Sequence, residues 1–189
     1  MFRKLCSVAV GLSLIFVPQV NAKTVVEEET ITVKYVDDHL KVLWGSLERA
    51  GVTILLNDPQ FCKDGANGMY SPTHQMMIIC QDDRYPISTR EMTWTPNDYD
   101  TLRHESHHVI QDCLDGINNS TLVLLFEGDK LKEFVTNSLS QKQINRIIST
   151  YKKYGANEKE IKIELEAFAV AETVSATTIA NSIDKLCQV

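Results

Sequence analysis

The sequence predicts an α+β domain: a small β-sheet in the N-terminal half, one central polar helix, and a helical C-terminal half. Three observations carry this reading. Two short apolar runs, Val52 to Leu56 and Met76 to Cys80, are bounded by turn residues. Helical periodicities follow one another from Pro96 to the C-terminus. The chain has 189 residues, 43% of them hydrophobic, and no low-complexity tract, which suits one domain and is short for two.

The first residues stand apart from that domain. "MFRK" is a basic start, "LCSVAVGLSLIFV" an apolar stretch, and "PQVNA" ends on a small residue with Val20 three positions before the cut. Residues 1–22 are therefore expected to be a signal peptide, leaving a single domain over 23–189. The apolar run from Leu5 to Val17 is shorter than the roughly 20 residues a membrane-spanning helix needs, so no stable membrane insertion is expected after cleavage. Secretion or a periplasmic location follows.

Taken in order, "HLKVLWGSLERAG" has Leu40, Val42, Leu43 and Leu47 at helical spacing and stops at Gly51. "VTILLND" reads as a strand ended by Asn57, Asp58 and Pro59. "FCKDGANGMYSPTHQMMIICQD" reads as strand, loop, strand, with turn chemistry at Gly65, Asn67 and Gly68. In "WTPNDYDTLRHESHHVIQDCLDG", Thr95 is an N-cap, Pro96 suits the first helical position, Asp98 completes a capping box and Gly116 is a stop, so a helix is expected from about Pro96 to Leu114. "STLVLLFEGDKLKEFVTNSL" should be helical with a break near Gly128. A Ser140 cap opens the next helix, which ends at Gly155 and carries the apolar stripe Ile144, Ile147, Ile148 and Tyr151. Asn157 and Glu160 open a long last helix, bent near Ser175.

Outside residues 1–22 there are four cysteines, an even number that in an exported chain suggests two disulfides. Cys62 with Cys80 would close a hairpin-like segment, and Cys113 with Cys187 would tie the central helix to the C-terminus. Loss of residues 1–22 removes Arg3 and Lys4 and no acid, moving the net charge from −6 to −8. Such a balance is a poor match for nucleic acid or anionic lipid.

The chemistry lies in "RHESHH". On a helix, positions i and i+4 share a face, so His104 and His108 can offer two imidazoles to one cation, with Glu105 beside them as a base for a metal-activated water. His107 at i+3 also neighbours His104, but the i+4 pair gives Glu105 its usual place. His107 is then expected to point toward solvent or toward a partner behind the ligands. A catalytic zinc site has three protein ligands and an open position. No histidine follows His108, so the third ligand must be a carboxylate. "IELEAFAVAE" places Glu164, Glu166 and Glu172 among apolar residues, where an unpaired acid is costly. Glu166 lies on a stripe with Ile163, Val170 and Val174, and Glu164 on one with Ile161, Phe168 and Ala171, so either can face inward. Alanines 167, 169 and 171 would allow close approach to the motif helix.

"HESHH" followed by a helix bearing "ELEAFA" resembles the gluzincin metallopeptidases, in which H-E-x-x-H is completed by a glutamate from a later helix. The E-x-E-A form is similar to peptidases of the ImmA/IrrE type, and that resemblance implies Glu166 as the third ligand. It covers residues 94–114 and 157–174. Those enzymes are intracellular, unlike a chain with an export signal, and here 58 residues separate His108 from Glu166. The resemblance implies a zincin-like fold, a Zn²⁺ cofactor, a peptide or protein substrate, and Glu105 as the catalytic general base. Electrostatic help for the reaction would come from Tyr70, His74, Tyr85 or Tyr99. In zincins a strand before the motif helix edges the cleft, a role that would fall to "MYSPTHQMMII". The competing readings are a non-catalytic zincin-fold module and a periplasmic metal-binding protein. An intact Glu105 speaks against the first, and the lack of a Met/His-rich tract against the second.

Overall fold

Local capping sets the central helix. In the computed structural model, which describes residues 33–63, 65–82, 93–116 and 120–187, helix α2 spans Pro96–Cys113. The Thr95 hydroxyl accepts from the Asp98 backbone N–H, and the Asp98 carboxylate accepts from the Thr95 N–H, so two otherwise unpaired helix-end donors are satisfied. The polar face of α2 is not solvated. From Leu102 to Asp112 every residue except Arg103 is buried.

The other elements enclose it. Helix α1 is Val33–Arg49, and strands β1, β2 and β3 are Thr53–Leu56, Gly68–Ser71 and Met76–Ile79, with a short 3-10 turn at Pro72–His74. The helical half comprises α3 (Gly128–Ser138), α4 (Gln141–Lys153), α5 (Glu158–Thr173) and α6 (Ala176–Leu186). The fold is thus α+β, with a mixed sheet of order β1-β3-β2: β3 runs parallel to β1 and antiparallel to β2. Alternation along β3 sends Met77 and Ile79 to the main core with Leu43, Leu47, Leu102 and Ile183. Ile78 faces the opposite side, toward Met69 and the Cys62–Cys80 bridge. A second apolar cluster joins α3, α4 and α5 through Leu131, Val135, Ile144, Ile147 and Ile161.

Gly68 departs from expectation in an informative way. It is the first residue of β2 and not a turn. A Cβ there would lie 2.6 Å from Thr101 Cγ2 and 3.3 Å from Glu105 Cγ, so only glycine lets this strand lie directly against the motif helix. The expected break near Gly128 is sharper than a bend. Residues 120–127 form no helix, and α3 starts at Gly128. The long C-terminal helix likewise divides, with Val174 ending α5 and Ser175 capping α6.

Both disulfides are present as paired above, Cys62–Cys80 and Cys113–Cys187, with Cα separations of 5.3 and 5.0 Å. Arg49 and Asp184 form an ion pair between α1 and α6 at 2.7 Å. Among the described residues no helix is long and apolar enough to cross a membrane. The signal segment 1–22 lies outside the described residues, as does Tyr85.

Candidate metal centre

Helix geometry and a second helix build this site. One turn apart on α2, His104 and His108 bring their Nε2 atoms to 3.1 Å. Helix α5 packs across them, its buried Ala167, Ala169 and Ala171 presenting little side-chain bulk. From α5, Glu164 Oε2 lies 3.3 Å from His104 Nε2 and 3.6 Å from His108 Nε2. These ligand atoms all fall within 4.8 Å of one another, and the three side chains are buried, so the group can hold a metal ion. Phe168, one turn beyond Glu164, sets its ring 4.4 Å from that of His104.

The structure brings Glu164, not Glu166, to the histidine pair. Residues two positions apart on a helix are separated by about 200° of rotation, so the two acids occupy different flanks. Glu166 is already saturated. Its Oε2 accepts from His107 Nε2 at 3.0 Å, Gln111 Nε2 at 2.8 Å and the Leu125 N–H at 3.1 Å, and its Oε1 accepts from the Phe126 N–H at 2.7 Å. These four donors engage both oxygens of the carboxylate. His107 is therefore not solvent-facing but buried as the partner of Glu166.

Glu105 sits beside the pair, fully buried, with no well-aligned hydrogen bond to either carboxylate oxygen among the described residues and with the Tyr70 backbone N–H turned toward it. Burial lifts its pKa to about 8. His104 is pushed down to about 4 by desolvation. Burial also opposes charge on His108, but the Glu164 carboxylate outweighs it and lifts that ring to about 9. Glu164 itself is held well below the usual carboxylate range, since His108 and His104 overcome the cost of burial. Glu164 Oε2 still lacks a hydrogen bond of acceptable geometry.

Tyr151 on α4 was legible only as part of the apolar stripe Ile144, Ile147, Ile148 and Tyr151. Its hydroxyl instead lies in the field of Glu164 and Glu105, buried and without a well-aligned hydrogen bond, and burial together with those carboxylates raises its pKa far above the ordinary value. A cleft of about 210 Å³ opens from this point between α2, α4 and α5, with His104, Tyr151 and Phe168 among its lining residues and Asn97, Gln143 and Glu172 farther along the same helices. The other aromatic and histidine candidates are engaged elsewhere. Tyr70 donates its hydroxyl to Asp112 at 2.8 Å in the core, the His74 ring is paired with Ser71, and Tyr99 stacks on Trp94.

Residues 32–188 match a family described as a domain of unknown function, DUF8637. The chain belongs to the DUF8637 family. Comparison of this DUF8637 chain with curated proteins and with solved structures returned no match.

Proposed function

We propose that the protein is an exported zinc-dependent metallopeptidase with a zincin-like arrangement, in which His104, His108 and Glu164 hold the ion and Glu105 is the general base. One observation carries the reading: three ligand atoms from two helices converge within 4.8 Å beside a buried carboxylate that has no well-aligned hydrogen bond. The donor set favours zinc. Two imidazole nitrogens and one carboxylate are a catalytic zinc set, and neighbouring donors on a tetrahedral ion with bonds of roughly 2.0–2.1 Å stand about 3.3 Å apart. The separations here are 3.1, 3.3 and 3.6 Å. The four described cysteines are all in disulfides, which leaves no thiolate ligand among the described residues and fits an oxidising compartment.

A bound divalent ion would supply Lewis acidity, lowering the pKa of a water molecule and of the neighbouring Glu105 and polarising a peptide carbonyl. Glu105 takes the proton that water loses as its oxygen bonds to the carbonyl carbon, and returns that proton to the departing amine nitrogen when the C–N bond breaks. Tyr151, kept protonated by its raised pKa, donates a hydrogen bond to the carbonyl oxygen as negative charge develops there. The cleft along α2, α4 and α5 leads a substrate segment to this point, and its buried end excludes bulk water.

The decisive variant is Glu105→Gln. It is expected to retain zinc, measured by elemental analysis of the purified protein, and to lower hydrolysis of a peptide mixture by at least about 10²–10⁴-fold. Wild-type turnover by Glu105→Gln would remove the assigned base, and a zinc-free wild-type protein unaffected by chelator would remove the metal.

A further inference from the structure

The tautomer of one ligand histidine follows from the hydrogen-bond inventory around it. A carboxamide has one accepting end and one donating end. Gln111 Nε2 faces two acceptors, Glu166 Oε2 at 2.8 Å and the Ile163 carbonyl oxygen at 3.2 Å. Oε1 must then be the atom that meets His108 Nδ1 at 2.7 Å, and that contact is a hydrogen bond only when Nδ1 carries the proton. The lone pair of neutral His108 is thereby left on Nε2, the nitrogen that faces His104 and Glu164.

We propose that Gln111 is a positioning residue for the metal centre: it fixes His108 with Nδ1 protonated and Nε2 presented to the cation, and Glu166 in turn orients Gln111. The inference rests on the metal site proposed above and extends it to a relay that touches neither ion nor substrate. The two ligand histidines are held differently. His104 Nδ1 has no partner among the described residues, whereas His108 is anchored through Gln111 and Glu166 to the backbone N–H groups of Leu125 and Phe126. The Val123 N–H also donates to the Gln111 carbonyl oxygen, so residues 123–126 are fastened to Gln111 on α2 at one end and to Glu166 on α5 at the other. All the side chains of the relay are buried, which keeps water from substituting for any of them.

Zinc affinity of the full, disulfide-bonded chain, read by competition with a chromogenic chelator, tests the relay. Gln111→Met, which keeps the length and removes the acceptor, is expected to weaken zinc binding about 10–100-fold and to shift the visible absorption of the Co²⁺-loaded protein. The variant Gln111→Glu is nearly isosteric: one oxygen keeps the acceptor toward His108, and the other, protonated against the Glu166 carboxylate, keeps a donor toward it. It is expected to bind zinc within about threefold of wild type and to show the wild-type Co²⁺ spectrum. Unchanged affinity in Gln111→Met, or a folded Gln111→Glu variant as weak as Gln111→Met is expected to be, overturns the relay. A wild-type chain that takes up no zinc overturns the metal site itself, and the relay with it.

Discussion

Glu164 and Glu166 stand two positions apart on one helix, both buried against the same face of α2, yet their surroundings are opposite in kind. Around Glu166 both carboxylate oxygens accept from the protein, and two of the four donors are backbone N–H groups of residues 125 and 126. Around Glu164 the neighbours are two imidazoles, a tyrosine hydroxyl and a second carboxylate, and one of its oxygens is left without a well-aligned donor. A saturated buried acid ties chain segments together. An unsaturated one beside two histidines has charge to share with something from outside the chain.

The contrast is most open to challenge through metal binding. Glu164→Ala is expected to cost more than about 100-fold in zinc affinity, and Glu166→Ala only the about 10–100-fold typical of a residue behind the ligands. The opposite order in a zinc titration would return the ligand role to Glu166. Stability should show the reverse ranking. In metal-free protein, Glu166→Ala leaves His107, Gln111 and two backbone donors without their partner, and is expected to cost roughly 3–5 kcal/mol. Glu164→Gln should cost less than half of that, with urea unfolding as the measure. Equal losses would mean that both acids are structural.

The smallest expected effect sharpens the comparison through pH. Burial opposes charge on His108, yet the Glu164 carboxylate lifts its pKa to about 9, so a proton competes with the ion over the neutral range. Zinc affinity should rise by up to about tenfold per unit between pH 6.5 and 9. Stability of the metal-free protein should move the other way. A pKa raised on folding gives stabilisation that is complete below the unfolded value near 6.5 and is lost as pH rises through about 9. Zinc titrations and melting curves at pH 6, 7.5 and 9 read both slopes, and flat profiles would uncouple His108 from Glu164.

What the sequence made legible was local. The Thr95–Asp98 and Asn157–Glu160 boxes, the Ser140 cap and the His104–His108 spacing each depend on residues within one turn, and all four stand in the structure. The α+β class followed from the order of such segments, and the disulfide pairs from a short set of possibilities. The choice between Glu164 and Glu166 was of another kind. It depends on how α5 is rotated against α2 and on where residues 125 and 126 place their N–H groups, and neither is written in the α5 sequence. Tyr151 was hidden for a similar reason, since its spacing of seven from Ile144 reads as apolar packing until α4 is laid across the site. Gly68 looked like a turn residue because its close neighbour, Thr101, is 33 positions away.

The Cys113–Cys187 bridge has a consequence for the integrity of the molecule. It closes a covalent ring that contains α3, α4, α5 and α6, with α2 entering at one end and the C-terminus at the other. A single backbone cut anywhere inside that ring, including the helix-free stretch at 120–127, releases no fragment. The histidines on one side of the cut and Glu164 on the other stay tethered, and a nicked molecule keeps both halves of its site within reach until the bridge is reduced.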